Sequence, residues 1–211
     1  MPGGRENRRV LEVVVSGLVT GWAIAIPIGA VGAFLVTLTA RTSWRVGAAG
    51  ALGIASVDGA YALLAVVAGA ALSALLEPVA TPLRVASGLV LLVIAALTAA
   101  HAWTSRGTAR EARPVSPARA YALFVAITAV NPATVVYFAA IVLGNRHLVD
   151  GAAEGAVFVA AAFAASASWQ LLLAGGGAAL GRATTGHRGR VATGLVSAAV
   201  IAALAVHTML G

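Results

Sequence analysis

The chain has 211 residues, 60% of them apolar and 10% charged; a soluble domain carries roughly 25% charged residues, so the composition is that of a membrane protein. It contains no cysteine, which excludes disulfides, thiolate metal sites and a thiol redox relay. The net charge of +7 comes entirely from arginines, which are scattered over separate loops; that pattern argues against nucleic acid, which asks for a basic face, and points to membrane topology.

A hydrocarbon core about 30 Å thick takes about 20 residues of helix. Six apolar stretches meet or approach that length, at 10–40, 46–76, 85–103, 120–144, 155–180 and 191–210. The expected fold is an all-α integral membrane protein of six transmembrane helices. Residues 1–211 then form a single transmembrane domain, with halves at about 10–103 and 120–210 and a linker at 104–119.

Arg5, Arg8 and Arg9 precede the first stretch, as they would in a signal peptide. A signal core spans only about 7 to 15 residues, whereas this run continues to Ala40, so it reads as a retained helix. Pro27-Ile28-Gly29 interrupts it. Proline lacks an amide hydrogen and clashes with the carbonyl four residues back, so Pro27 releases the carbonyl of Ala23 and the helix should break. Gly17 and Gly21 have the small-xxx-small spacing that lets helices approach closely.

The second stretch carries Asp58. A carboxylate at mid-helix costs roughly 2.5 to 3.5 kcal/mol on insertion scales, and such a group serves transport or is held by a partner that fixes packing. Asn131 and Tyr61 are the candidate partners. Glu77-Pro78 and Thr81-Pro82 read as the turn into the third stretch, which ends near His101 and Trp103. A linker rich in arginine and proline follows.

The fourth stretch holds Thr128, Asn131, Pro132, Thr134 and Tyr137. Pro132 releases the carbonyl of Thr128 and breaks this helix too. In hydrocarbon, irregular backbone is tolerated only where it is buried in protein or lines a wet cavity, so two breaks nominate one central site. Proline also kinks membrane helices without any function, and either break alone carries that plainer reading. In the fifth stretch Ser166 and Gln170, four residues apart, share one face. The glycine run at 175–177 is no phosphate loop, since the chain has no lysine to complete one.

Pro132 lies 105 residues after Pro27. Shifting the remaining helices of the first half by that amount places them on those of the second. Three helices per half is an odd number, so the second half enters from the opposite side: two inverted three-helix repeats, with helices 1 and 4 broken at Pro27 and Pro132. Substrate sites of such transporters lie at the midplane between the broken helices. Asp58 maps onto Phe163, so the acid is not duplicated. Nine arginines fall on one side and five on the other; basic residues mark the cytoplasmic side, which places both termini outside.

These features resemble the LysE-type translocator family of amino-acid exporters. The resemblance rests on the proline-glycine break of helix 1, Thr-Ser-Trp-Arg-Val-Gly at 42–47, the glycines and Asp58 of helix 2, and Asn131-Pro132 in helix 4. The family's Pro-Gly-Pro stands here as Pro27-Ile28-Gly29, and its lysine after Asn-Pro as Ala133. The resemblance implies export of amino acids or related small polar solutes across the cytoplasmic membrane. With no nucleotide motif in the chain, the energy is expected from an ion gradient or the solute's own gradient, and protons acting on Asp58 are the expected coupling ion.

The residues expected to bind substrate or proton are Asp58, Asn131, Pro132, Pro27, Gly29, Tyr137 and Gln170. No cofactor, metal or catalytic residue is expected, and a homo-oligomer is compatible with the sequence. A divalent cation exporter is the nearest alternative, although hard cations ask for several oxygen ligands. A non-transporting structural subunit is the other. An intramembrane enzyme would need two or more convergent catalytic groups, and the sequence offers none.

Overall fold

The first apolar stretch folds as two helices, α1 (Gly3–Ala25) and α2 (Ala30–Arg41), whose axes meet at 79°. The structure is a computed structural model that describes residues 3–26, 29–104, 115–130, 151–183 and 187–210. Pro27 lies outside the described residues, and the break spans its position. The Ile26 amide still donates to the Trp22 carbonyl at 2.8 Å; position 27, being proline, has no donor to continue the ladder. The helix resumes behind Gly29, which is extended, has no side-chain cap, and accepts the Ala33 amide at 3.1 Å.

Backbone of helical form, α3, runs from Trp44 to Thr104, including 77–84, where the sequence suggests a turn. Pro78 and Pro82 each remove a donor and crowd the carbonyl four residues back, yet the backbone keeps helical form through both. Ala51 and Leu91 are 40 residues apart, about 60 Å along a straight helix. Both nevertheless belong to one apolar cluster with Phe34 and Leu35 of α2. The axis of α3 therefore bends back between them, and the two ends of one helix serve one core.

Helix α4 (Pro117–Ala129) starts with proline in its first turn behind Ser116, whose hydroxyl accepts the Arg119 amide at 3.3 Å. Both are standard helix-start chemistry. Helix α5 (Ala152–Ala183) and helix α6 (His187–Leu210) complete the described architecture. The first part of α3, Trp44–Val67, and α5 are long and apolar enough to cross a membrane, and α1 with α2 makes a third crossing if the bent pair is one span.

Glycine and alanine set the helix pairing. A side-chain carbon on Gly17 would stand 2.7 Å from the Phe158 carbonyl and the Ala161 methyl, and one on Gly21 2.8 Å from the Ala165 methyl. Arg9 reaches Glu154 at 3.8 Å, and the Trp22 indole donates to Ser168 at 3.1 Å. Partners advance together along both chains, so α1 and α5 run parallel. On α4 the Tyr121 carbonyl faces Gly53, its hydroxyl donates to Ser56 at 3.0 Å, and Ala129 meets Tyr61; α4 therefore runs parallel to the start of α3. Between α3 and α5 the order reverses: Asp58 meets Ser166, Gly59 meets Phe163, and Gly155 meets Val66. These two run antiparallel. It follows that α1 and α4 point in opposite directions.

Faces follow from the same packing. Along α1, Val13, Gly17, Thr20 and Gly21 are buried, while Leu11, Val15, Val19 and Trp22 are exposed. In a membrane protein an exposed apolar face is the one that meets lipid.

Candidate functional site

Several hydroxyls in the described helices are satisfied locally. Thr37 donates to the Ala33 carbonyl at 2.8 Å, Thr39 to Leu35 at 2.8 Å, and Ser56 to Leu52 at 2.8 Å, each closing onto the turn before it. Such a bond hides a hydroxyl in an apolar helix and needs no functional reading. A different pattern holds where α3, α4 and α5 come together.

Asp58 is only 4% exposed and accepts the Ser166 hydroxyl at 2.6 Å through Oδ2. Ser166 is fully buried and bonds across to another helix rather than back to its own. Antiparallel packing of α3 on α5 brings the two together, and Gly59 makes room beside them: a carbon there would stand 3.1 Å from the Phe163 ring. A buried carboxylate in hydrocarbon needs a donor, and a single neutral hydroxyl is a modest one.

One turn beyond Ser166 on the same face of α5 lies Gln170, 6% exposed, whose Oε1 is buried with no partner. Thr128 on α4 is 4% exposed, and its Oγ1 likewise has none, although the carbonyl four residues back is the usual recipient. Buried polar atoms without partners are rare, and each calls for an explanation.

Helix α4 stops at Ala129, with the Val130 amide still donating to Ala126 at 3.3 Å. The end falls just ahead of Asn131-Pro132, as expected from a proline that disfavours helix in the residue before it. The Tyr61 hydroxyl, three residues along α3 from Asp58, donates to the Ala129 carbonyl at 2.6 Å. A side chain of the acid-bearing helix thus caps the end of α4.

Of the residues singled out in the sequence, Asp58 and Gln170 are brought to this place, one from each of the crossing helices. Gly29 is exposed at the start of α2, with nothing within 4 Å of where a side chain would begin. Pro27, Asn131, Pro132 and Tyr137 lie outside the described residues. The sequence marks Ser166 as polar without marking it as the partner of Asp58; of the two candidates it offers, Asn131 and Tyr61, the second bonds the Ala129 carbonyl instead. The Asp58–Ser166 bond joins residues 108 apart on antiparallel helices, so no local pattern in the sequence marks it.

A family model described as LysE type translocator matches residues 22–211, which takes in every helix from the end of α1 onward. No curated protein and no solved structure matches the chain significantly.

Proposed function

Because the chain belongs to the LysE type translocator family, we propose that it is a secondary transporter exporting amino acids or related small polar solutes across the cytoplasmic membrane, coupled to protons, with Asp58 as the group that takes the proton or the solute's amine. The observation that carries this reading is the carboxylate itself: it is buried at the crossing of two apolar helices, held by one hydroxyl, with unpartnered polar atoms on Gln170 and Thr128 of the neighbouring elements. An ionisable group so placed is retained for transport more readily than for packing.

The six-span arrangement of two inverted repeats is part of the same reading. Its support is the opposed direction of α1 and α4 together with a numerical match. Adding 105 to Gly17 and subtracting 105 from Ala161 turns their contact into one between 122 and 56; the α4 contact made with Ser56 comes from Tyr121. Gly59 meets Phe163, 104 residues on, as residues near a pseudo-twofold axis would. On this reading α2 and the segment after α4 are the outgoing halves of broken helices. Pro27, Gly29, Asn131 and Pro132 shape the breaks, whose free backbone groups bind the solute's carboxylate and amine, while Tyr137 and Gln170 complete the polar lining. The arginine distribution puts both termini outside.

The test is efflux from proteoliposomes loaded with labelled amino acids, with and without an imposed pH gradient, for the wild type and Asp58→Asn. Gradient-driven release that the variant loses supports the reading. Selective passage of divalent cations with no amino-acid flux would replace it with the cation exporter.

A further inference from the structure

The polar groups around Asp58 are unbalanced in charge, since none of them is cationic. Gln170 Oε1 is an acceptor with no donor, the nitrogen of the same amide offers only neutral N–H donors, and an ionised carboxylate is acceptor only. Ser166, having given its hydrogen to Asp58, keeps lone pairs alone to offer, and the unpartnered Thr128 hydroxyl can serve either way. Trp169 Nε1 is a buried donor without a partner, but it sits about 100° round α5 from Gln170, off the face that Ser166 and Gln170 share.

The sequence deepens the imbalance. None of the six apolar stretches contains an arginine or lysine in its interior, and His101 and His207 stand within three residues of the ends of theirs. No cationic side chain is therefore available at mid-membrane to meet a solute's carboxylate. What the site lacks is a cluster of donors carrying positive charge. An ammonium group brings three N–H donors and one charge, and matches the acid, the amide oxygen and the hydroxyls.

Resting on the exporter reading above, we propose that this site recognises its solute through the ammonium group and that the solute's carboxylate is dispensable, so that the substrate class extends to primary amines such as amino-acid amides. Gln170 then fixes the ammonium beside Asp58, and the solute's donors take up the acceptor that is unpartnered in the empty site. A carboxylate, where present, is left to backbone donors that do not discriminate strongly.

The experiment is equilibrium binding to the full chain in lipid nanodiscs. The probes are whichever standard amino acid binds best, its primary amide, which lacks the carboxylate, and its N-acetyl derivative, which lacks the ammonium. The amide is expected to bind within about threefold of the parent, and the N-acetyl compound to be weaker by about 30-fold or more. Gln170→Leu should weaken parent and amide by the same factor, about five- to tenfold. A parent that binds while its amide does not, or an N-acetyl compound that binds as well as the parent, overturns this inference and leaves the exporter reading standing. Failure of every standard amino acid to bind would sink the exporter reading and this inference with it. The probe series is measured on the wild type, so its outcome does not depend on any variant folding.

Discussion

Two helix pairs of the molecule, α1 with α5 and α4 with the start of α3, are packed alike and meet at a crossing that is equipped differently on its two sides. Helix α1 lies parallel to α5 through Gly17 and Gly21, and α4 lies parallel to the start of α3 through Gly53 and Tyr121. At the crossing of α3 and α5, however, α3 supplies Asp58 and Tyr61, and the positions 105 residues on, in α5, hold Phe163 and Ser166. Tyr61 caps α4 at Ala129, whereas Ser166 turns to the acid. The scaffold requires close helix approach twice, and small residues supply it twice. A carboxylate is costly in hydrocarbon, so a site needing one charged group is met by one half, while the other provides the hydroxyl that holds it.

That difference should appear first in transport. Asp58→Asn is expected to reduce flux by about 100-fold or more, as befits an intramembrane ionisable group, while Phe163→Leu at the counterpart position changes initial rates by less than about threefold. Comparable losses from the two would mean that the acid has no special role.

Next come substitutions in the shared scaffold, where the halves should respond alike. Gly21→Val and Gly53→Val each drive a side chain into a backbone carbonyl of the neighbouring helix, and overpacking of this kind costs about 1 to 3 kcal/mol. Thermal unfolding in detergent should show similar drops for both. A drop confined to one of them would break the structural equivalence.

Tyr61→Phe removes the cap on Ala129. Hydrogen bonds between membrane helices average about 0.6 kcal/mol, and the carbonyl left behind adds to that, so a loss of about 1 kcal/mol is expected. Smallest of all is Trp22→Phe, which deletes an exposed bond to Ser168; its effect should stay within about 0.5 kcal/mol.

How much of this is legible in the sequence depends on how local each cause is. The break near Pro27 and the end of α4 ahead of Pro132 are legible because proline acts on its own turn and on the residue before it. The shared face of Ser166 and Gln170 is legible because helical spacing fixes it. The reversal of the chain between Ala51 and Leu91 agrees with the turn composition of 77–84, but the helical backbone kept through Pro78 and Pro82 is not legible, since only packing decides whether it survives there. The Asp58–Ser166 bond joins residues 108 apart, a distance that no local pattern spans. Thr128 is visible as one of a polar cluster, but that its hydroxyl lacks even the usual bond to its own helix belongs to the folded chain alone.

The inverted relation of the two halves around one acid is tested most directly by topology mapping, which the absence of native cysteine makes clean. Single cysteines at Asn7, ahead of the apolar part of α1, and at Val115, just before α4, are exposed in intact cells to a membrane-impermeant maleimide. Labelling of Asn7→Cys from outside, with Val115→Cys protected until the membrane is opened, is the expected result. Labelling of both from the same side would contradict the opposed directions of α1 and α4, and the inverted repeat with them.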